Sequence, residues 1–421
     1  MILTIRRIVL VLSFFFYSLM ANSQEDQTNN WKFMTYKGLL MAGYQGWFNA
    51  EGDGAGRGWF HYASNNLFEP GHTKVDYWPD VSEYLVKYKT PFTLADGSPA
   101  YVFSSYDEST VDLHFKWMKE YGIDGVFMQR FVTTLKNPKG ARHYEKVLAS
   151  AVKSAKKYGR AISIMYDLSG MNPDDYKIVI DDWKKLIDQY NFNKKNSYEN
   201  YLFHNKRPLV AIWGAGFNDG RKYGLKEVEK IIDFLKNDPV YGGSVLLGVP
   251  TFWRELKYDT QDDPFLHQLI RKVDIVHPWF VGRYNENTYP QFKERIKKDL
   301  AWCTANGLDY VPVVYPGFSW QNMRPQDPFD AIPRNKGKFL WAQLAGGIEV
   351  GAEMLYVAMF DEIDEGTAIF KCAKDVPIGA SKFVPYENEI PTDHYLWLTG
   401  QAAGILKKEI PFQSDMPYRT Y

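Results

Sequence analysis

Eight short apolar segments recur between residues 39 and 360, and segments with helical hydrophobic spacing lie between them. Each apolar segment is a continuous run, which is typical of parallel strands that are buried on both faces. We predict strands at residues 39–44, 125–129, 161–166, 209–213, 245–249, 273–277, 310–315 and 354–360. Strands that alternate with helices in this number predict an α/β fold, a (β/α)8 TIM barrel. A doubly wound open sheet is the alternative.

Capping residues mark the ends of several predicted helices. Ser109 can cap a helix that ends at Gly122, and Asn172 is followed by a proline and two acids, a typical helix start. Residues 392–408 are predicted to form a closing helix. Because no Pro- or Ser-rich linker divides the chain, residues 37–421 are predicted to form a single domain.

The N-terminus has the pattern of a secretory signal peptide. Two arginines precede an apolar run at residues 8–20 that is short for a membrane span, and Ala21-Asn22-Ser23 supplies small residues for cleavage. We therefore predict a signal peptide at residues 1–23, a flexible segment at 24–36 and an exported protein, periplasmic or secreted. An uncleaved membrane anchor is the alternative; after cleavage no stable membrane span is expected.

The charge balance argues against several classes of partner and cofactor. The chain has 50 basic and 50 acidic residues, so no basic excess exists to bind nucleic acid or anionic lipid. Cys303 and Cys372 could pair, but a domain of this size does not need the disulfide, and free thiols are the simpler expectation. Neither C-x-x-C nor H-E-x-x-H occurs, so we predict no metal site and no cofactor.

Polar and aromatic residues follow nearly every predicted strand. The carboxyl ends of parallel barrel strands meet at one rim, where active sites are built, so these side chains are expected to converge. The predicted substrate-binding residues are Tyr44, Trp47, Gln129, Arg130, Tyr166, Asp167, Trp213, Trp253, Trp279, Tyr315 and Asp361. For any single ring, core packing is an equally good interpretation. Their coincidence at one rim favours a cleft in which rings stack on sugar faces.

A cluster of acidic residues follows the last predicted strand. Phe360 ends the apolar run, and Asp361, Glu362, Asp364 and Glu365 come directly after it. Carboxylates delivered by a buried strand are costly unless they are paired or used. The three-residue spacing of Glu362 and Glu365 places both on one face of a helical turn, with about 5–6 Å between Cβ atoms. Since retaining glycosidases hold their two carboxyl groups about 5–5.5 Å apart, we predict that these two are catalytic.

Other interpretations of the acidic and glycine-rich segments are open. A solvated acidic turn explains most charge runs, and Asp167 is a rival catalytic carboxylate. The run DEIDEG at residues 361–366 lacks the D-x-D-x-D-G spacing of a calcium-binding EF-hand loop. The glycine run at residues 52–58 matches no nucleotide-binding motif, and it is predicted to be a mobile loop at the rim of the site.

Two of these segments resemble motifs of a known family. Residues 360–367, FDEIDEGT, resemble the Asn-Glu-Trp-His-Glu-Gly-Thr signature of glycoside hydrolase family 99, the retaining endo-α-mannosidases and endo-α-mannanases. Residues 43–48, GYQGWF, resemble the Tyr-rich first-strand motif of that family, and residues 395–400, YLWLTG, resemble segments of the wider 71/99-like group. The resemblance covers the barrel from about residue 39 to 366 in order and spacing, and it is specific at the two ends.

The resemblance implies a role for three residues. Glu365 matches the general acid/base of the family, and Tyr44 matches a sugar-contacting residue. Glu362 matches the carboxylate thought to deprotonate the sugar 2-hydroxyl, which gives a 1,2-anhydro intermediate instead of a glycosyl-enzyme. That chemistry suits mannosides, whose axial 2-hydroxyl lies trans to an α-linked leaving group.

Three positions of the signature depart from the family. The Asn, Trp and His of the family are Asp361, Ile363 and Asp364 in this chain, a change that bears on mannose specificity. The sequence predicts an exported retaining glycoside hydrolase that cleaves an α-linked oligosaccharide or polysaccharide, with mannan-like substrates favoured. The alternatives are a family 71-like α-glucanase, a xylosidase or arabinosidase, and a non-catalytic carbohydrate-binding protein on a hydrolase barrel.

Overall fold

The computed structural model describes residues 32–194 and 198–420. The predicted signal peptide at 1–23 and most of the predicted flexible segment at 24–36 lie outside the described residues. Within the described ranges, no helix is both long and apolar enough to cross a membrane.

The described end of the N-terminal segment packs against the barrel. Phe33 and Tyr36 are buried. The hydroxyl group of Tyr36 donates a 2.8 Å hydrogen bond to the backbone carbonyl of Leu355. Two residues that the sequence assigns to a flexible segment, Phe33 and Tyr36, therefore belong to the hydrophobic core.

The predicted apolar segments form the strands of one parallel sheet, and a short hairpin lies apart from it. The strands are β1 (Leu40–Tyr44), β2 (Tyr88–Thr93), β3 (Pro99–Val102), β4 (Gly125–Phe131), β5 (Ala161–Asp167), β6 (Phe203–His204), β7 (Arg207–Trp213), β8 (Ser244–Val249), β9 (Ile275–Pro278), β10 (Asp309–Tyr310), β11 (Val313–Val314) and β12 (Leu355–Val357). The order across the main sheet is β10-β9-β8-β7-β5-β4-β1-β12-β11, and these neighbours pair in parallel. Every residue of β1, β5 and β8 is buried, as expected for strands covered on both faces.

One short segment closes this sheet into a barrel. Asp309 and Tyr310 of β10 pair with β9, and Val313 and Val314 of β11 pair with β12. The segment predicted as a seventh strand therefore contacts both edges of the sheet. It is divided at Pro312, which has no backbone N–H to donate to a ladder. This closure confirms the predicted (β/α)8 TIM barrel.

Helices connect the strands around the outside of the barrel. They are α1 (Glu108–Tyr121), α2 (Val132–Leu135), α3 (Pro138–Tyr158), α4 (Tyr176–Tyr190), α5 (Leu225–Asn237), α6 (Phe265–Ile270), α7 (Tyr289–Ala305), α8 (Lys338–Glu349) and α9 (His394–Leu406), with 3₁₀ turns at Pro173–Asp175 and Asn335–Gly337. The predicted end of α1 is confirmed, because Gly122 adopts φ 79° and donates its N–H to the carbonyl of Met118. The predicted cap is displaced, since Asp107 and not Ser109 occupies the N-cap position.

Two features of the fold are absent from the sequence prediction. Strands β2 and β3 form an antiparallel hairpin outside the barrel. Pro91 within β2 and Pro99 at the start of β3 obscure this pattern, because proline is unusual inside a strand. The short strand β6 pairs antiparallel with β7.

Cys303 and Cys372 are buried free thiols, which agrees with the expectation that they do not form a disulfide.

Candidate active site

A cleft with a volume of about 510 Å³ opens at the carboxyl ends of the barrel strands. The predicted site residues that line it are Trp47, Gln129, Asp167, Trp213, Trp279, Glu362 and Glu365. They come from the ends of β4, β5, β7 and β9, from the segment after β1 and from the turn after β12. The expectation that strand ends would converge on one rim is met for these residues.

The turn after β12 carries both glutamates. The backbone N–H groups of Thr367 and Ala368 donate to the carbonyl of Glu362 at 3.0 and 2.9 Å. Gly366, directly after Glu365, has φ 67°, a left-handed conformation that favours glycine. A Cβ atom at Gly366 would also lie 2.8 Å from the backbone nitrogen of Ser319. The E-x-x-E-G spacing thus folds as a tight turn that directs both carboxyl groups to the floor of the cleft.

Glu362 is held from two sides. Its Oε1 accepts a 2.6 Å hydrogen bond from the side-chain amide of Gln45, and its Oε2 accepts a 2.6 Å bond from the hydroxyl of Thr367. The side chain is buried. Burial, together with the nearby carboxyl groups of Glu365 and Asp364, raises the pKa of Glu362 well above its ordinary value.

Glu365 faces the cleft without such restraint. No residue in the described ranges forms a hydrogen bond to its carboxyl group, although Ser319 donates a backbone N–H to its carbonyl at 3.0 Å. Burial raises the pKa of Glu365 to about 8, with a contribution from Asp364, while the positive charge of Arg324 acts in the opposite direction. A carboxyl group with this pKa keeps its proton at neutral pH and is suited to general acid catalysis.

Asp361 connects the turn after β12 to the end of β1. Its Oδ1 accepts the backbone N–H of Gln45 and its Oδ2 accepts that of Gly46, both at 2.8 Å. Burial raises the pKa of Asp361 to about 7 against the effect of these two donors. Asp361 does not line the cleft, so the prediction that it binds substrate is not supported; its oxygens are occupied in positioning Gln45.

Asp364 contacts a histidine that is distant in sequence. Nδ1 of His61 lies 2.8 Å from Oδ2 of Asp364, and the His61 ring stacks on Trp47 with centroids 3.7 Å apart. Burial lowers the pKa of His61 well below its ordinary value and raises the pKa of Asp364 to about 7. This contact fixes the Trp47 platform beside the acidic turn.

Asp167 lies at the end of β5 and adds a further carboxyl group to the cleft. Its Oδ1 accepts the backbone N–H of Ser169 at 2.7 Å. Burial raises the pKa of Asp167 to about 6. Asp167 also contributes to the raised pKa of Glu365, which places its charge within electrostatic reach of the predicted pair.

Aromatic rings form the walls of the cleft. Trp213 and Trp279 pack edge to face with centroids 5.3 Å apart, and Phe217 packs on Trp213 at 4.8 Å. Trp320 and Phe318 also line the cleft, with ring centroids 5.0 Å apart. Rings around carboxyl groups are the composition expected of a sugar-binding cleft.

Arg130 and Tyr166 point away from the cleft. Arg130 is 2% exposed, and its guanidinium donates to both oxygens of Asp182 on α4, at 2.7 Å from Nε and 2.5 Å from Nη2. The hydroxyl of Tyr166 donates to the same carboxylate at 2.7 Å. Successive strand residues face opposite sides of a sheet, so Gln129 and Asp167 face the cleft while Arg130 and Tyr166 face the helices. The placement does not support their prediction as substrate contacts.

Three predicted aromatic contacts are core residues. Tyr44 is buried and hydrogen-bonds His114 of α1 at 2.8 Å. Trp253 is buried and packs edge to face on Trp302 of α7, with centroids 4.9 Å apart. Tyr315 is buried and bonds the carbonyl of Tyr284. These rings fill the space between barrel and helices, so direct contact with a ligand in the cleft is not supported for any of them.

Several cleft residues are absent from the sequence prediction. Gln45 follows β1 next to the predicted Trp47, and its position in the GYQGWF motif is a signal that could have identified it. Arg221, Trp320 and Arg324 also line the cleft. They lie within the loops that follow β7 and β11, where no local pattern marks them.

The glycine-rich segment at residues 52–58 does not line the cleft. The carboxylate of Asp53 accepts the side-chain amide of Asn49 at 2.8 Å and the hydroxyl of Ser104 at 2.7 Å. The ammonium group of Lys139 donates to the carbonyl of Gly56 at 3.0 Å. The segment is thus anchored to neighbouring elements beside the site. In the described part of the chain, no group of three or more His, Cys, Asp or Glu side chains is arranged to hold a metal ion.

Comparisons with known proteins agree with this architecture. The chain is 28% identical over 143 residues to a glycoprotein endo-alpha-1,2-mannosidase-like protein of Danio rerio, a match that covers 33% of this chain and 32% of that one. It is 21% identical over 270 residues to the glycoprotein endo-alpha-1,2-mannosidase of Rattus norvegicus, covering 64% and 55%. The chain therefore spans about a third to just over half the length of these curated relatives.

A solved structure has the same fold over nearly its whole length. The GH99 endo-alpha-mannosidase from Bacteroides thetaiotaomicron superposes with a TM-score of 0.63 at 16% identity, and the match covers 89% of this chain and 99% of that one. At this level of identity the likeness establishes the barrel fold, and the sequence resemblance to family 99 is confirmed by the matches as a whole. A family model described as "Domain of unknown function (DUF5010)" matches residues 146–388, more than half of the chain. The chain belongs to the DUF5010 family, and its barrel is the one found in the family 99 endo-α-mannosidase.

Proposed function

We propose that this protein is a retaining glycoside hydrolase that cleaves an α-linked, mannose-containing glycan, with Glu365 as general acid/base and Glu362 as its partner. The observation that carries the proposal is the pair of carboxyl groups at the floor of an aromatic-walled cleft, both with raised pKa values. Glycoside hydrolysis needs one carboxyl group to protonate the leaving oxygen and a second to assist at the anomeric centre.

The different surroundings of the two glutamates support different roles. Both oxygens of Glu362 accept hydrogen bonds, which oppose the rise in its pKa caused by burial and fix the orientation of the carboxyl group. Glu365 has no such donor within residues 32–194 and 198–420, and it faces the cleft. Because two close carboxyl groups do not both ionise readily, the pair retains a proton near neutral pH, and Glu365 is the better placed to transfer it.

The proposed reaction has two steps. In the first, Glu365 protonates the glycosidic oxygen while Glu362 takes the proton of the sugar 2-hydroxyl; O2 then attacks C1, and the leaving group departs with its pair of electrons. This step follows the 1,2-anhydro chemistry implied by the resemblance to family 99. In the second, Glu365 takes a proton from water, which opens the three-membered ring at C1, and Glu362 returns its proton to O2. Two inversions at C1 give overall retention.

The names of similar proteins favour mannose as the sugar. The relatives from Rattus norvegicus and Danio rerio are named as endo-α-1,2-mannosidase and endo-α-1,2-mannosidase-like. We carry mannose-containing glycans over to this chain as a proposal only. Export to the periplasm or beyond, proposed from the signal-peptide pattern at residues 1–23, would expose the protein to such glycans.

Turnover by the purified protein tests the proposal. The protein is incubated with α-mannans, α-glucans and arabinoxylans, new reducing ends are measured, and NMR records the anomer first released. We expect release from an α-mannan with retained configuration, and a loss of about 10²–10⁴-fold in turnover for Glu365→Gln, the range typical of general acid–base catalysis. Glu409→Gln, at an exposed glutamate shortly after α9, is the matched control and should keep full turnover.

Three outcomes would contradict the proposal in different ways. Wild-type turnover by Glu365→Gln would remove its acid/base role. Release of reducing ends from an α-glucan or arabinoxylan alone would support the proposed hydrolase activity but contradict mannose as the sugar. No release from any polysaccharide, together with retention of one of them in an affinity gel, would favour a carbohydrate-binding protein.

A further inference from the structure

A second cavity continues the cleft beyond the catalytic pair. Its volume is about 480 Å³, and Gly282, Arg283, Phe318 and Trp320 line both cavities. Trp320 therefore stands at the junction of the two, beside the position where a glycan would pass from one to the other. A group attached to the glycan near this junction would lie against Trp320.

Three arginines line the cleft, and two of them are paired with carboxylates. Nε of Arg221 lies 2.9 Å from Asp219, and Nη2 of Arg283 lies 3.3 Å from Asp259. Their charges are neutralised by the protein itself. Neither arginine needs a charged ligand.

Arg324 differs from the other two. Within residues 32–194 and 198–420 no carboxylate lies within ion-pair distance of its guanidinium. The side chain is exposed, and its Cζ lies 4.3 Å from the centroid of the Trp320 ring. Stacking of this kind holds the planar guanidinium in a fixed orientation and leaves its N–H groups available.

The charge of Arg324 also acts within the cleft. It opposes the rise in the pKa of Glu365, so the guanidinium is close enough to interact with the floor of the site. A neutral sugar is bound by rings and hydrogen bonds and needs no full positive charge. A fixed guanidinium without a partner matches a carboxylate or phosphate group, which it can bind with two parallel hydrogen bonds.

We propose that Arg324, stacked on Trp320, binds an anionic substituent of the glycan, so that the preferred substrate is an acidic glycan carrying a phosphate or carboxylate group. The inference deepens the proposed function and rests on the same cleft. The alternative is that Arg324 is an ordinary exposed arginine that stacks on Trp320 and does not distinguish charged from neutral glycans.

Binding of matched probes separates these possibilities. Isothermal titration calorimetry is performed in the Glu365→Gln background, so that no probe is consumed, with an α-linked mannobiose, its phosphate ester and its analogue with a terminal uronic acid. We expect one of the charged probes to bind about tenfold more tightly than the neutral one, since a bidentate hydrogen bond between a guanidinium and an anionic group is stronger than a hydrogen bond between neutral groups. The preference should decrease with added salt. Comparison of the two charged probes identifies whether Arg324 binds a phosphate or a carboxylate group.

The chain supplies a closely matched control. Arg271, after α6, also stacks on a tryptophan, with its Cζ 5.0 Å from the Trp302 ring centroid, but it lies outside both cavities. Arg324→Gln should remove the preference, so that the charged and neutral probes bind this variant with similar affinity. Arg271→Gln should retain the preference, and both variants should keep the melting temperature of the Glu365→Gln parent within about 1 °C, as expected for exposed positions.

The outcomes distinguish the inference from the proposed function. Equal affinity of all three probes for the protein, or a preference that survives in Arg324→Gln, would overturn the inference while leaving hydrolysis of neutral mannan intact. If the preference for a charged probe depended on Arg324 but the protein hydrolysed no glycan, the inference would be supported and the proposed hydrolase activity would be refuted.

Discussion

The side-chain amide of Gln45 donates a 2.6 Å hydrogen bond to Oε1 of Glu362. The backbone N–H of Gln45 is in turn held by Oδ1 of Asp361, the residue that precedes Glu362. The turn after β12 therefore fixes Gln45, and Gln45 orients a carboxylate of the same turn. The geometry of the proposed site depends on a residue supplied by the segment that follows the neighbouring strand β1.

Gln45→Ala removes this donor, and we expect kcat to fall about tenfold to a hundredfold. A hydrogen bond to a charged group is worth about 1.5–3 kcal/mol, and Glu362 would lose its fixed orientation. The measurement is kcat and KM on the glycan that the substrate screen identifies. Gln291→Ala, at an exposed position on α7, is the control. If kcat were equal in both variants and the wild type, Gln45 would have no positioning role.

Glu365→Gln should stabilise the protein, and the effect should depend on pH. The pKa of Glu365 in the folded protein is about 8, above its ordinary value of 4.5, so the folded state binds this proton more tightly than the unfolded state. Stability is therefore lost as pH rises from about 4.5 to about 8, and glutamine avoids that loss. We expect the variant and wild type to melt together near pH 4.5, and the variant to melt about 2 °C or more higher at pH 8. A difference that is the same at every pH, or a negative one, would contradict the assignment.

The alkaline limb of the pH–rate profile should move in opposite directions in two variants. The proposed acid must keep its proton, so kcat/KM should fall as pH rises through about 8, the pKa of Glu365. The charge of Asp364 raises this pKa and that of Arg324 lowers it. Asp364→Asn should therefore shift the limb to lower pH, and Arg324→Gln should shift it to higher pH. Profiles between pH 5 and 10 on one substrate test this; limbs that move together would falsify the electrostatic account.

Asp182→Asn should destabilise the fold without affecting turnover by the folded protein. The change leaves the buried guanidinium of Arg130 without its carboxylate partner, and such a loss costs about 3–5 kcal/mol. Urea unfolding measures the loss. Glu120→Gln, which breaks the exposed pair with Lys116, is the control and should cost less than about 1 kcal/mol. A reduced kcat in Asp182→Asn under conditions where the protein is fully folded would indicate that Arg130 contributes to the active site.

The sequence predicted the strands well because buried parallel strands are uniform apolar runs. The segment predicted at 161–166 is β5, Ala161–Asp167, with almost the same bounds. The same uniformity hides which side of a strand faces the barrel interior. Adjacent Gln129 and Arg130 could not be separated by pattern, and only the former lines the cleft.

Contacts between distant parts of the chain could not be predicted. His61 and Asp364 are 303 residues apart, and neither has a local signal that indicates the other. Trp320 and Arg324 lie in a long irregular loop after β11, where hydrophobic periodicity gives no information. The acidic turn that lines the cleft could be located from the sequence because the strand, the turn and Gly366 are contiguous.

The division of the seventh barrel strand into β10 and β11 has a consequence for the loop that follows it. The barrel seam is held by two residues of β10 on one side and two of β11 on the other, and the loop with Trp320 and Arg324 begins directly after it. This wall of the cleft is therefore attached to a part of the sheet that is held by short strands. Changes in the length or charge of that loop would not alter the register of any long strand, so the lining of the cleft can vary while the acidic turn after β12 keeps its position.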